Sequence, residues 1–190
     1  MEYLRKTPDS CVVAAGWQYP RDAWAIRESL LNEQRGFCAY SEQFVRATDS
    51  CDVEHFDPRL KSTDRDSYWN WYTVLHWMNL HKPRDIRPFL PILEPHNPDV
   101  AGRIGYENGQ FIALRNGDQE AENLIRYLGW NRPELAADRR RHVSRIRDVR
   151  GWFGEDIAGF LAFLRERPDC LSFITALRVE LGLDVSQLWA

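Results

Sequence analysis

The stretch EHFDPRLKSTDRDSYWNWYTVLHWMNLHK, residues 54–82, carries the most specific pattern in the chain. Glu54 and His55 are adjacent, and asparagines follow at Asn70 and Asn79. A histidine has a pKa near neutrality without perturbation, which suits a general base. Mg²⁺ prefers oxygen ligands and keeps several waters, so one carboxylate and one amide oxygen suffice to bind it. The stretch therefore predicts a base and a divalent metal of the kind that hydrolyses phosphodiesters.

Each residue of this set has a predicted role. His55 is the candidate base, and Glu54 and Asn79 are the candidate metal ligands. Asn70 is predicted to orient the histidine or to pin the loop before the helix. The flanking histidines His76 and His81 are expected to be surface or cap residues of that helix.

The local pattern predicts two strands, a loop and a helix. Residues 43–47 (QFVRA) and 51–56 (CDVEHF) are short β-rich runs around a polar turn, which is typical of a hairpin. Residues 57–67 are polar and lack an apolar period, so they predict a loop. Residues 69–80 are apolar and aromatic at helix-like spacing, and Pro83 stops the predicted helix.

This region resembles the HNH endonuclease superfamily, the ββα-metal fold. Within it, FCAYSE (37–42), VEHFDPRLKS (53–62), YWNWY (68–72) and MNLHK (78–82) are similar to the PtuB-like HNH nucleases of Septu and retron-associated anti-phage systems. The resemblance extends through RIGYENGQF to the arginine run before residue 150. It implies an α+β fold, with a ββα-metal core, surrounding helices and a helical C-terminal tail.

The resemblance also implies an activity and its residues. His55 corresponds to the general base, Glu54 and Asn79 to the metal-facing residues, and Asn70 to the loop-supporting asparagine. Lys82 closes the family's N-x-x-K pattern. The implied cofactor is one Mg²⁺ or Mn²⁺, the implied substrate is DNA or RNA (tRNA included), and the implied partner is a PtuA-like ATPase.

The chain departs from the family at the positions that usually hold four zinc-binding cysteines. Those positions are occupied by Cys38, Ser41, Leu75 and Met78. One thiolate cannot hold a structural zinc, so none is expected, and these positions are predicted to pack as hydrophobic core. Because the catalytic set remains, an active nuclease is expected. The alternative is a catalytically inactive HNH fold that serves as a binding or assembly module.

Several basic residues are candidate contacts for nucleic acid phosphates: Lys82, Arg59, Lys61, Arg139 and Arg140. The arginine run from 139 onward also fits a solvated helix face with nearby carboxylates as partners. The tryptophans Trp69, Trp71 and Trp77 lie at helical spacing and are expected in the core rather than stacked on bases.

Length and charge bound the remaining possibilities. The chain has 190 residues, 44% of them hydrophobic, and a formal net charge of −3. We expect a nuclease domain over 1–150, with its core motif at 37–82, and a helical tail over 151–190 that completes the core or docks a partner. The net negative charge excludes a globally basic nucleic-acid binder, so affinity must come from local patches, a metal or a partner.

The rest of the chain gives simpler signals. The four cysteines are scattered, with no disulfide framework or zinc pair, and no signal peptide or membrane span is visible, so a cytoplasmic protein is expected. Residues 83–101 are proline-rich and predict a wrapping loop. Residues 102–115 predict a hairpin with its turn at Asn108-Gly109, and helices are predicted from residue 119 onward.

Overall fold

The computed structural model describes residues 4–183 and residue 188, and its fold class is α+β as predicted. The end of the predicted tail, 184–187 and 189–190, lies outside the described residues. The helices are α1 (Cys11–Ala14), α2 (Ala23–Glu33), α3 (His76–His81), α4 (Val100–Arg103), α5 (Gln119–Tyr127), α6 (Pro133–Trp152), α7 (Ile157–Arg165) and α8 (Ile174–Leu181). The strands are β1 (Cys51–His55), β2 (Trp71–Leu75), β3 (Ile104–Glu107) and β4 (Gln110–Ala113). Among the described residues, no helix combines the length and the apolar character needed to cross a membrane.

The first sheet pairs β1 with β2, and this corrects the predicted hairpin. The two strands are antiparallel, with Cys51 opposite Leu75 and His55 opposite Trp71. Residues 43–47 form no strand with β1, and Phe44 makes only an isolated bridge to Phe37. The order along the chain is therefore strand, long loop, strand and short helix.

The predicted helix over 69–80 was wrong in its first half, because residues 71–75 form β2. This strand is buried on both faces. Trp71 packs with Ile26 and Leu30 of α2, whereas Tyr72 and Val74 face the main core. A strand covered on both sides is a continuous apolar run, and periodicity alone cannot separate such a run from a buried helix.

The second sheet, β3 with β4, confirms the predicted hairpin. Glu107 lies opposite Gln110, and the turn between them is Asn108-Gly109. Both turn residues have positive φ, 50° and 87°. A two-residue turn of this kind matches the twist of the strands, and Asn-Gly tolerates its backbone.

The helical tail packs in the main core. Side chains of α7, α8 and the turn between them lie in the same apolar cluster as residues 37–40 and α5. Phe160, Leu164 and Leu177 are fully buried there. Polar bonds join the tail to the same region, since the backbone N–H of Thr175 donates to Glu42 Oε2 at 3.0 Å.

The positions of the missing cysteines lie in or against this core. Cys38 and Met78 belong to the main cluster, and Leu75 packs against it. The backbone N–H of Leu75 approaches Cys38 Sγ at 3.3 Å. Of the three tryptophans expected in the core, Trp71 is buried, whereas Trp69 and Trp77 are exposed, so the prediction was wrong for these two.

Candidate active site

An open cleft of about 810 Å³ runs along β1. Its walls come from α2, the loop after β1, and α3 with the residues that follow it. Five of the predicted site residues line it: Glu54, His55, Lys61, Asn79 and Lys82. The remaining predicted residues lie elsewhere: Arg59, Asn70, Arg139 and Arg140.

His55 ends β1 and is held by the loop that follows. Its Nε2 lies 3.1 Å from Asp66 Oδ2. The other oxygen of Asp66 accepts a hydrogen bond from Trp71 Nε1 at 2.6 Å. The Tyr19 ring packs edge-on against the imidazole, with centroids 4.7 Å apart. Burial lowers the pKa of His55 below its ordinary 6.5, although Asp66 opposes this shift, so the ring is neutral at neutral pH and can accept a proton.

Glu54 points to the opposite face of β1, where both of its oxygens are occupied. Oε1 lies 2.9 Å from Lys82 Nζ, and Oε2 accepts a hydrogen bond from the Tyr40 hydroxyl. Burial raises the pKa of Glu54 to about 7, against the opposing effect of Lys82, and burial lowers the pKa of Lys82. Lys82 is held further by Tyr127, whose hydroxyl lies 2.5 Å from Nζ. Each oxygen of Glu54 is therefore already engaged by one buried polar partner.

Asn79 is paired with an acid that the sequence analysis did not select. Its Nδ2 donates to Asp52 Oδ2 at 2.8 Å, and His76 Nδ1 lies 2.7 Å from the same oxygen. All three side chains line the cleft. Asp52 lies two residues before Glu54 and therefore on the same face of the strand, which was the available signal.

The fit of a divalent cation follows from this donor set. Among the described residues, no three side chains of His, Cys, Asp or Glu are grouped to hold a metal. Asp52 and Asn79 still supply one carboxylate and one amide oxygen, once the Asn79 amide turns its oxygen inward. Ligands of one octahedral ion with bonds of about 2.1 Å lie about 3 Å apart, close to the spacing observed here. Asp52 and Asn79 thus carry the oxygen types that Mg²⁺ or Mn²⁺ prefers, and Asp52 lies two residues before the predicted ligand Glu54.

Asn70 holds together the two ends of the loop between β1 and β2. Its Oδ1 accepts from the Asp57 backbone N–H at 2.8 Å, and its Nδ2 donates to the Asp57 carbonyl at 3.1 Å. Its own carbonyl accepts from the Phe56 N–H at 2.9 Å. Of the two roles considered for Asn70, the geometry matches pinning the loop, since His55 contacts Asp66, Tyr19 and Trp71 instead.

The predicted phosphate contacts fall into different surroundings. Lys61 is exposed at the cleft, and Arg59 is engaged by Asp57 at 2.7 Å. Arg140 is exposed beside the Asn108-Gly109 turn, away from the cleft. Arg139 was wrongly predicted, because it is fully buried.

Helical spacing explains the burial of Arg139. It lies on the inward face of α6 with Leu135 and Val143. Its guanidinium donates to the carbonyls of Gly109 at 2.8 Å and Trp130 at 3.0 Å. These bonds join α6 to the second hairpin, so Arg139 has a structural role.

The chain matches no protein-family model, no curated protein and no solved structure.

Proposed function

We propose that this chain is a metal-dependent endonuclease of the HNH type that hydrolyses phosphodiester bonds in nucleic acid. The observation that carries the proposal is His55, a neutral imidazole at the end of β1 in a cleft shared with Asn79. The order of strand, pinned loop, strand and helix supports it, because it brings residues distant in the sequence to one place. The proposal includes the assignment of a ββα-metal core to this chain.

Each residue has a part in the proposed reaction. His55 takes the proton from the attacking water, and Asp66 holds the imidazole in place. Lys61, exposed at the cleft, attracts the phosphate. A divalent metal, when bound, stabilises the charge on the phosphate and on the leaving oxygen. Asp52 and Asn79 would hold that metal.

Glu54 takes a different part from the metal-facing role implied by the resemblance. With both oxygens bonded to Lys82 and Tyr40, it fixes the position of β1 against the end of α3. We propose it as a positioning residue, and Lys82 as its partner rather than a phosphate contact.

The second candidate function is a catalytically inactive binding module. The burial of His55 favours it, because only 5% of the side chain is exposed and water must reach the ring. The two candidates share the same cleft and differ in whether the phosphodiester is cleaved. Measurement of cleavage separates them.

The biological setting is also a proposal. The resemblance to PtuB-like nucleases suggests an effector of bacterial anti-phage defence that works with an ATPase. A net charge of −3 supports a partner, because non-specific affinity for a polyanion comes largely from phosphate neutralisation. Co-expression with a PtuA-like ATPase, followed by co-purification, tests this part separately.

The decisive test replaces the base. His55→Ala is expected to lower Mg²⁺- or Mn²⁺-dependent cleavage by about 10²- to 10⁴-fold, the usual contribution of general base catalysis. The matched control is His81→Ala, since His81 is an exposed histidine that stacks on Trp77 outside the cleft. Cleavage by His55→Ala at the wild-type rate refutes the assignment. A wild-type protein that binds nucleic acid and never cleaves it, with either ion or with the ATPase, supports the binding module.

A further inference from the structure

An exposed tryptophan stands on the rim of the cleft. Trp24, in the first turn of α2, is 71% exposed and lines the same cleft as His55. Leu80 of α3 is also exposed and lines this cleft. A tryptophan usually buries most of its surface, so one left open at a polar cleft is available to a ligand.

The charged residues around Trp24 indicate the chemical class of ligand that suits this part of the cleft. Lys61 and Arg84 are exposed in the cleft, whereas Arg27, one turn after Trp24, pairs with Glu28 at 2.9 Å. The two acids of the cleft have partners of their own, Glu54 with Lys82 and Asp52 with His76 and Asn79. The rim therefore combines an aromatic face with cations, which is the combination that binds a nucleic acid strand.

We infer that the cleft takes unpaired nucleotides, with a base stacked on Trp24 and neighbouring phosphates on Lys61 and Arg84. This inference rests on the proposed function and names its class of substrate. In a duplex both faces of every base are covered by neighbouring bases, so a side chain reaches a base face only in a single strand, a loop or an extruded nucleotide. A volume of about 810 Å³ is within the range of sites that enclose small ligands.

The inference is tested by binding, so that it does not depend on catalysis. The His55→Ala protein, which leaves the oligonucleotide intact, is titrated into labelled single-stranded DNA, single-stranded RNA and duplex DNA of one sequence, and anisotropy is measured. Trp24→Ala in this background is expected to weaken single-strand binding about 5- to 150-fold, the effect of losing one base stack. Trp24→Phe keeps an aromatic face and retains most of the affinity.

The matched control is Trp152→Ala. Trp152 is 78% exposed at the end of α6 and does not line the cleft, so its loss is expected to leave binding unchanged. Equal effects of the two alanine variants, duplex binding as tight as single-strand binding, or no binding to any strand overturns the inference. Comparison of the two single strands identifies DNA or RNA as the ligand. If binding behaves as expected and the wild-type protein cleaves nothing, the nuclease proposal fails while the substrate class stands.

Discussion

The two hairpins of this protein are held together in different ways. The β3–β4 hairpin closes through the two-residue turn Asn108-Gly109. The β1–β2 hairpin closes through a long loop, 56–70, that is pinned at its base by Asn70. The first strand ends in the buried side chains of Glu54 and His55. Buried ionisable groups are costly and cluster at functional sites, so the first hairpin is the one on which we place the proposed reaction.

The largest expected effect compares the ion pairs beside the two hairpins. Lys82, paired with Glu54, is 4% exposed at its side chain, and Arg103, paired with Asp118, is 21% exposed. Lys82→Met is expected to cost about 3–5 kcal/mol of unfolding free energy, because it leaves a buried carboxyl without its partner. Arg103→Met is expected to cost about 1 kcal/mol, since Glu120 is 43% exposed and Asp118 keeps the Ala121 N–H as a hydrogen-bond donor. Urea unfolding of both variants measures the two losses, and equal losses contradict the comparison.

The second prediction concerns the metal proposed to bind beside Asp52 on β1. Asp52→Asn is expected to weaken Mn²⁺ binding at least about tenfold, because it removes the carboxylate that already contacts Asn79. Glu54→Gln is the matched control on the same strand, and we expect a smaller change, since Lys82 and Tyr40 occupy Glu54. Electron paramagnetic resonance of Mn²⁺ measures both affinities without any substrate. A larger loss of Mn²⁺ affinity in Glu54→Gln than in Asp52→Asn would identify Glu54 as the ligand instead.

A third prediction concerns the residues that close the two hairpins, Asn70 for β1–β2 and Gly109 for β3–β4. Asn70→Ala leaves the Asp57 N–H without its partner and is expected to cost about 1–3 kcal/mol. Gly109→Ala strains a residue at φ 87° and crowds the flexible Arg140 side chain, for about 1 kcal/mol. Thermal unfolding gives the stabilities. Cleavage is expected to fall only for Asn70→Ala. An equal fall in both variants would show that activity does not depend on the loop that Asn70 pins.

The smallest expected effect is a shift in pH dependence. In the proposed reaction the neutral imidazole is the active form, so cleavage is expected to be lost as the pH falls through the pKa of His55, which burial places below 6.5. The Asp66 carboxylate raises this pKa, so Asp66→Asn is expected to move the acid limb of the profile to lower pH. Rate profiles of both proteins measure the shift. An acid limb that moves to higher pH in this variant rules out the assigned effect of Asp66.

The contrast between the hairpins also explains which parts of the fold could be predicted from the sequence. The β3–β4 hairpin and α5 to α8 were predicted because their signals are local: an Asn-Gly turn and amphipathic helices with clear ends. The pairing of β1 with β2 was missed because it depends on contacts across a long loop, and because β2 is covered on both faces.

The candidate site shows the same division. Residues of the motif were selected by type and spacing, and the structure brings Glu54, His55, Asn79 and both lysines to one cleft. The sequence did not indicate which partner each of these side chains binds. The pairing of Asn79 with Asp52, and of Glu54 with Lys82, depends on three-dimensional packing. The burial of Arg139 was likewise hidden inside a run of similar residues.

The contact between Asp66 and His55 determines the tautomer of the imidazole. A carboxylate only accepts hydrogen bonds, so the neutral ring carries its hydrogen on Nε2, which lies 3.1 Å from Asp66. The lone pair is then on Nδ1, which is the nitrogen that would accept the proton in the proposed reaction. Because Asp66 also binds Trp71, this choice of nitrogen is tied to the first residue of β2. The strand pairing that the sequence concealed is therefore linked, through Asp66, to which nitrogen of His55 carries the lone pair.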